Sequence, residues 1–256
     1  MNIIAVIPAR MGSSRFPGKP MAEILGMPMI GHCYKRAELS KSINHVYVAT
    51  CDEEIYNYIK SIDGNVVMTS SSHERACDRA AEAMLKIEKI HNLKTDILLM
   101  MQGDEPMVTP KIIEASLKPL INNSEVKISN LFRKIDSIDE FEDPNEVKVI
   151  IDKKGYAIYF SREPIPSRKK GVLNVPMYKQ ICTIPFRRDY LLEFNNMKQT
   201  DLEIIESIDM NRIIENGGKI KMEYSHDESI SVDTKNDLDR VIKEMKNDLL
   251  IKSYIV

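Results

Sequence analysis

Three basic side chains, with small residues between them, follow the first apolar stretch of the chain. Arg10, Arg15 and Lys19 come after residues 3–7, an uninterrupted apolar run typical of a buried strand. The small residues are Gly12, Ser13 and Ser14. Guanidinium and ammonium groups bind phosphate oxygens together with closely approaching backbone N–H groups. The segment therefore predicts a triphosphate site at the carboxyl end of the first strand, where open α/β sheets bind ligands. The spacing matches neither G-x-x-x-x-G-K-[ST] nor G-x-G-x-x-G. The alternative is a strand followed by a solvated basic loop.

Two carboxylates are candidate ligands for the metal ion that would accompany a bound triphosphate. Asp104 follows Gly103 just after the apolar run 97–101, so we expect it at the same sheet edge as the basic segment. A simple turn carboxylate is the alternative for Asp104. Asp233 precedes a predicted helix, and capping of that helix is its alternative role. Carboxylates and phosphate oxygens are the usual ligands of Mg²⁺ at such sites, so both residues are predicted Mg²⁺ ligands.

The elements that position these residues are predicted by the apolar periodicity. In the first half, residues 1–125, strands alternate with helices, which indicates a doubly wound, mostly parallel α/β sheet. The predicted strands there are 3–7, 45–50, 65–69 and 97–101, and the predicted helices are 28–38, one that begins near 52, 74–90 and one that begins at Pro110.

The second half, residues 126–256, predicts a different arrangement. Residues 147–152 and 157–160 flank a Lys-Gly turn and predict a β-hairpin. The remaining predicted elements are a strand at 177–186, a helix at 201–216 that ends at Gly-Gly, a strand at 219–224 and a helix at 237–249.

The composition argues against several classes of protein. The chain has 256 residues, of which 43% are hydrophobic and 29% charged, as is ordinary for a globular protein. A formal net charge of −2 predicts no general attraction to nucleic acid or anionic lipid. No apolar run approaches the roughly 18 residues that span a bilayer, and no signal-peptide pattern is evident. The four cysteines lack C-x-x-C spacing, which favours reduced thiols. We therefore expect a cytoplasmic protein with neither nucleic-acid nor membrane partners.

Five segments, in order, resemble the signature motifs of the CMP-KDO synthetases (3-deoxy-manno-octulosonate cytidylyltransferases). They are P-A-R at 8–10 with S-S-R at 13–15 and P-G-K-P at 17–20; Q-G-D-E-P at 102–106; D-P-N-E-V-K-V at 143–149; G-Y-A-I-Y-F-S-R at 155–162 with I-P at 165–166; and S-V-D-T at 231–234 with D-L at 237–238. The resemblance implies a Rossmann-like sheet of the nucleotide-diphospho-sugar transferase type with an inserted hairpin and dimerisation lobe. It implies one cytidylyltransferase domain, 1–256, with nucleotide binding in 1–125 and acceptor binding and dimerisation in 126–256. A homodimer is therefore expected.

The resemblance also implies a reaction, in which the hydroxyl of a sugar acid attacks the α-phosphate of CTP and pyrophosphate leaves. The catalytic residues it implies are Arg10, Arg15, Lys19 and Asp104. The nucleotide-binding residues it implies are Pro8, Ala9, Arg10, Ser13, Ser14, Arg15, Lys19, Gln102 and Gly103. Asp104 and Asp233 would hold Mg²⁺, and Arg162, Gln180 and Glu206 would bind the acceptor. The pathway it points to is the biosynthesis of bacterial lipopolysaccharide.

The acceptor side departs from the family pattern. The family's H-x-S-G-T-E-R is H-E-R-A-C-D-R at 73–79, its sugar-contacting His is Gln180, and a Gln in a later helix is Met210. A neutral amide cannot supply imidazolium charge to a carboxylate. We therefore expect KDO or, in preference, a related acidic acceptor. The alternatives are another nucleotide, another acceptor such as a phosphonate or sugar phosphate, a nucleotide-binding protein without turnover, and a nucleotide-sugar hydrolase, for which no nucleophile or base is evident.

Overall fold

The computed structural model describes residues 1–12 and 16–255, which form two compact units. The first unit comprises Met1–Glu114 and the chain from Asp227 onward, and the second comprises Ala115–His226. Asp233 thus belongs to the same unit as Lys19 and Asp104. The interpretation of residues 1–256 as one cytidylyltransferase domain, with halves divided at residue 125, stays a prediction.

Helices and strands alternate along most of the chain. In order they are β1 (Ile3–Ala9), β2 (Glu23–Ile24), β3 (Met27–Pro28), α1 (Met29–Glu38), β4 (His45–Thr50), α2 (Glu53–Ser61), β5 (Val66–Met68), α3 (Ala76–His91), β6 (Ile97–Met101), α4 (Pro110–Asn122), β7 (Ser129–Lys134), α5 (Ile138–Glu142), β8 (Lys148–Ile151), β9 (Ala157–Ser161), β10 (Tyr178–Ile181), β11 (Thr183–Arg187), α6 (Arg188–Asn196), α7 (Asp201–Glu206), α8 (Met210–Glu215), β12 (Lys221–Tyr224) and α9 (Lys235–Met245). Lys19–Met21 and Leu249–Ser253 form short 3-10 helices. No helix within the described ranges is both long enough and apolar enough to cross a membrane.

The first unit is built on a parallel sheet whose strands lie in the order β6-β1-β4-β5. Helices α1, α2 and α3 pack on this sheet, and β1 and β6 are buried almost throughout, as the strands of a covered parallel sheet are. Because all four strands run the same way, the carboxyl ends of β1 and β6 lie side by side. The predicted doubly wound, mostly parallel α/β sheet is confirmed.

The second unit contains a mixed sheet with the strand order β12-β7-β10-β8-β9. The predicted hairpin is confirmed as β8 and β9, and Gly155 takes a φ of 77° in its turn. Two sequence predictions are wrong here. Residues 201–216 form two helices, α7 and α8, because Ser207 takes a left-handed φ of 53° that ends the first, and residues 177–186 form two strands, β10 and β11.

Candidate active site

The ammonium group of Lys19 bridges two carboxylates. Its Nζ donates to Oδ2 of Asp104 at 2.6 Å and to Oδ1 of Asp233 at 3.3 Å. The three side chains are only 12%, 26% and 17% exposed, respectively. Burial lowers the pKa of Lys19, but the two carboxylates outweigh it, so the pKa lies above its ordinary value. Lys19 therefore stays protonated, and both carboxylates converge on its ammonium group.

Asp104 and Asp233 meet because the returning chain pairs with the turn after β6. The N–H of Val232 donates to the carbonyl oxygen of Asp104 at 2.8 Å. Thr234, and not Asp233, accepts the capping hydrogen bond at the start of α9. The Asp233 side chain is therefore directed to Lys19 while its neighbour caps the helix.

Gly103 lets the turn that carries Asp104 press against the end of β1. A Cβ atom at this position would lie 3.1 Å from the carbonyl oxygen of Pro8 and 3.3 Å from Cδ1 of Ile30. Real Cβ atoms rarely approach other atoms so closely, so a side chain here would push the turn outward. The glycine brings the end of β6 close to the end of β1.

Backbone contacts place Lys19 at the start of its 3-10 helix. Gly18 caps that helix with a left-handed φ of 72°, and its N–H donates to the carbonyl oxygen of Met11 at 3.1 Å. The N–H of Met11 in turn donates to Oδ2 of Asp52 at 2.9 Å. Sequence reasoning assigned Asp52 to a helix start, which it is, but missed this contact across 41 residues.

A cavity of about 320 Å³ lies beside Lys19 at the carboxyl ends of β1 and β6. Seven residues predicted from sequence line it: Pro8, Ala9, Arg10, Lys19, Gln102, Gly103 and Asp104. Ser13, Ser14 and Arg15 were also predicted, but they fall outside the described residues. Among the charged side chains of the described residues that line the cavity, four are basic and two acidic, namely Arg10, Lys19, Arg75, Arg79, Glu74 and Asp104. The cavity therefore suits a polyanionic ligand.

The start of α3 supplies a wall of the cavity that was not among the predicted site residues. His73 lines the cavity, and its Nε2 bonds to Oε2 of Glu82 at 2.5 Å. Because a carboxylate only accepts, this contact places the hydrogen on Nε2. Burial raises the pKa of Glu82, but hydrogen bonds from Lys86, from the N–H of Ser70 and from His73 hold it down to about 2. The ionised Glu82 thus fixes the orientation of the imidazole.

Arg79 holds the same wall of the cavity in place through two hydrogen bonds. Its side chain is almost fully buried, and Nη1 donates to Oγ1 of Thr69 at 2.5 Å while Nη2 reaches the carbonyl oxygen of His73 at 3.5 Å. The guanidinium therefore ties the end of β5 to the segment that carries His73. The signal that could have found this wall is the H-E-R-A-C-D-R segment itself.

The predicted acceptor residues lie in the second unit. Arg162 and Glu206 are bonded to each other: Oε2 of Glu206 accepts from the backbone N–H of Arg162 at 2.8 Å, and the Glu206 carbonyl oxygen accepts from Arg162 Nε at 2.8 Å. Oε1 of Glu206 also accepts from Tyr159 at 2.8 Å and from Ser161 at 2.7 Å. Burial raises the pKa of Glu206, but these donors outweigh it, so the pKa lies below its ordinary value. The pair is an ionised, well-satisfied cluster at the end of α7.

Gln180 does not join that cluster. Lys179, its neighbour in β10, is in register with Lys148 and so with Ser161, which places those three side chains on one face of the sheet. Gln180 therefore points to the opposite face, in register with Phe132, whose ring packs edge-on against Tyr178 at 5.0 Å. Met210 is 1% exposed and lies in the core. The acceptor roles of Arg162, Gln180 and Glu206 stay predictions.

Asp104 and Asp233 have the donor chemistry that a magnesium ion needs. The described residues contain no group of three or more His, Cys, Asp or Glu side chains able to hold a metal. Mg²⁺ is commonly bound through one or two carboxylates, with phosphate oxygens and water completing the shell. Two carboxylates that already converge on one cation, beside a polyanion-sized cavity, fit that pattern.

The fold and the cavity define a nucleotide-binding α/β protein, and comparison with known proteins gives its family. The family model described as cytidylyltransferase matches residues 4–223. The 3-deoxy-manno-octulosonate cytidylyltransferase of Geobacter metallireducens is 38% identical over 255 residues (96% of this chain and 98% of that protein), and that of Thermodesulfovibrio yellowstonii is 42% identical over 246 residues (93% and 96%). A solved structure of CMP:2-keto-3-deoxy-manno-octonic acid synthetase complexed with CTP superposes with a TM-score of 0.88 at 33% identity, covering 97% of this chain and 100% of that one. The chain belongs to the 3-deoxy-manno-octulosonate cytidylyltransferase family.

A more distant structure shares the fold. The 4-diphosphocytidyl-2C-methyl-D-erythritol synthase of Anaerococcus prevotii superposes with a TM-score of 0.63 at 16% identity, over 96% of each chain. The resemblance inferred from the five sequence motifs is thus confirmed at the level of family and fold.

Proposed function

We propose that this protein transfers CMP from CTP to the hydroxyl of a sugar acid and releases pyrophosphate. The observation that carries this proposal is the convergence of Asp104 and Asp233 on Lys19 at the mouth of a basic cavity. A protein that only bound nucleotide would have no need of two partly buried carboxylates beside its phosphate-binding cation. The membership of the cytidylyltransferase family supports CTP as the nucleotide.

Four residues of the cavity have a direct part in this reaction. Arg10 and Lys19 bind the β- and γ-phosphates and stabilise the negative charge of the departing pyrophosphate. The acceptor hydroxyl oxygen forms a bond to the α-phosphorus and gives up its proton to water. The bond from that phosphorus to the oxygen that bridges it to the β-phosphate breaks, and pyrophosphate leaves with the bridging oxygen. Gln102, an amide that both donates and accepts, contacts the nucleotide, and Gly103 leaves room for it. Positioning and electrostatic stabilisation supply most of the catalysis in such a transfer.

Asp104 and Asp233 are the proposed ligands of Mg²⁺. A bound Mg²⁺ would neutralise charge on the phosphates and polarise the phosphate oxygens. The protein holds the two carboxylates close together through the Val232 backbone contact and the Gly103 turn.

The acceptor within the class of sugar acids is the finer part of the proposal. The curated relatives carry the name of 3-deoxy-manno-octulosonate, which supports KDO. Gln180 in place of a family His supports a related acid, because an amide offers no charge to a carboxylate. Met210, which also replaces a family Gln, does not support a related acid, because this residue lies in the core and has no access to an acceptor.

Pyrophosphate release with CTP and Mg²⁺ tests the reaction and names the acceptor. The acceptors to be compared are KDO, its 8-amino analogue, sialic-type acids and small phosphonates, with UTP and GTP replacing CTP in parallel. We expect release with CTP and an octulosonic acid, with the related acid preferred to KDO. A higher kcat/KM for KDO than for the related acids would refute the preference. No pyrophosphate release with any sugar acid would refute the reaction.

We also propose a homodimer formed through the second unit. Ile158, on the edge strand β9, is 51% exposed, and Val172 and Leu173 are 62% and 70% exposed. Phe160, in the same strand, is fully buried and so takes no part in this surface. Light scattering on the purified protein, with Ile158→Lys as the variant, tests this proposal. A monomeric wild type would refute it.

A further inference from the structure

Lys19 stands where a metal ion would have to stand. Its Nζ is within 2.6 and 3.3 Å of the two carboxylates that are the proposed metal ligands. A divalent cation bound to those same oxygens at about 2.1 Å would lie within a few ångströms of the ammonium group. Two cations at that separation repel each other strongly in a partly buried site. Lys19 and the metal therefore cannot both occupy the point between Asp104 and Asp233.

We infer that Lys19 is a resident counter-ion that keeps the metal site closed until a triphosphate draws the ammonium group away. This inference rests on the proposed function and adds an order to it. Without nucleotide the ammonium group of Lys19 occupies the point between the two carboxylates. With nucleotide the ammonium group moves to the phosphates, and the carboxylates become free to bind a divalent cation.

The local structure permits this movement without a change of fold. Gly18 and the 3-10 helix that begins at Lys19 fix the backbone, so the displacement falls on the side chain alone. A lysine has a flexible four-carbon stem and an ammonium group without directional preference, which suits it to alternative partners. Lys19 and Asp104 line the same cavity. The ammonium group can therefore reach either the Asp104 carboxylate or a triphosphate bound in that cavity.

Binding of Mn²⁺ in the absence of nucleotide tests the inference directly. Mn²⁺ serves as a spectroscopic substitute for Mg²⁺, and free ion is counted by electron paramagnetic resonance. The variant is Lys19→Met, which keeps the length of the side chain and removes its charge. We expect Lys19→Met to bind Mn²⁺ about tenfold or more tightly than the wild type, because two carboxylates are left without a cation.

A matched control separates local competition from general electrostatics. Arg10→Met removes one positive charge from the same cavity, but Arg10 is exposed and makes no contact with either carboxylate among the described residues. Mn²⁺ affinity near that of the wild type is expected for this variant. Equal tightening in both variants, or no tightening in Lys19→Met, would overturn the inference.

Three further measurements keep the test decisive. If Lys19→Met unfolds on its own, Lys19→Gln, whose amide can still donate to a carboxylate, replaces it, and Mn²⁺ should raise its midpoint of thermal unfolding more than that of the wild type. The double variant Lys19→Met with Asp104→Asn should lose the gain in Mn²⁺ affinity.

The effect of CTP on Mn²⁺ binding separates the two assignments. If CTP fails to increase Mn²⁺ binding to the wild type above that to Asp104→Asn, the metal assignment itself is wrong. If CTP does increase it but Lys19→Met shows no gain alone, only the counter-ion role is wrong.

Discussion

Replacement of Asp104 by asparagine probes the charge balance on which the proposed reaction depends. In the wild type two carboxylates face one ammonium group, so the three side chains carry one net negative charge. Asp104→Asn makes that sum zero while it keeps the shape of the side chain and an oxygen that can accept from Lys19. Once Lys19 has turned to the phosphates, the wild type offers two carboxylates to a divalent cation, whereas the variant offers one.

The expected loss of turnover is large and the expected loss of stability is small. Removal of one preorganised group that stabilises developing charge costs about 10²- to 10³-fold in kcat, and we expect a fall of that order. The ion pair is partly exposed to solvent, so the free energy of unfolding should change by about 1 kcal/mol or less.

The assay is continuous pyrophosphate release with CTP and a sugar acid over a range of Mg²⁺ concentrations. Asp96→Asn is the matched control, because Asp96 precedes the opposite end of β6 and is 51% exposed. Turnover should be unchanged in that control. A rate for Asp104→Asn within about threefold of the wild type at saturating Mg²⁺, with the fold intact, would refute the assignment of Asp104.

Four other changes have expected outcomes. Lys19→Ala should weaken CTP binding more than CMP binding in calorimetric titration, because CMP lacks the β- and γ-phosphates; equal weakening would move Lys19 away from them. Glu82→Gln should have a lower free energy of unfolding than the wild type at neutral pH. A lowered carboxyl pKa stabilises the fold fully above pH 4.5, and this stabilisation is lost as the pH falls towards 2. In urea unfolding, the difference in free energy between variant and wild type should therefore narrow over that range. Glu203→Gln should cost about 3–5 kcal/mol of unfolding free energy, because Glu203 is fully buried and pairs with Arg212 at 2.5 and 2.7 Å. Gly103→Ala should lower kcat clearly while it lowers the unfolding temperature only a little, because it shifts the turn that carries Asp104. An unchanged kcat would contradict the positioning role of Gly103.

The sequence predicted the elements whose signals are local. The apolar runs of β1 and β6 identified strands that are buried on both faces, and Gly103 with Asp104 just beyond β6 identified the sheet edge. The expected place of Asp104 held because the parallel order of the strands brings the residues that follow β1 and β6 to one edge. Asp233 lies 214 residues from Lys19, and only the motif at 231–234 pointed to it. Its contact with Lys19 was not predicted, and the Mg²⁺ roles of Asp104 and Asp233 stay predictions.

The contacts that sequence reasoning missed depend on side-chain directions. The bond from Met11 to Asp52 joins two loops whose sequences carry no mark of each other, and the bond from His73 to Glu82 depends on where one helix begins. The break at Ser207 is a single left-handed residue inside a helical pattern. The facing of Gln180 follows from strand register, which a one-residue shift would reverse.

The discontinuous first unit also sets the order in which the site assembles during translation. Lys19 and Asp104 emerge from the ribosome before the whole of Ala115–His226 has been made, and Val232 and Asp233 follow it. A nascent chain paused within that stretch has the basic segment but only one of the two carboxylates. We therefore expect ribosome-bound chains that end near residue 226 to be inactive, so that the enzyme is switched on only as its last segment folds back.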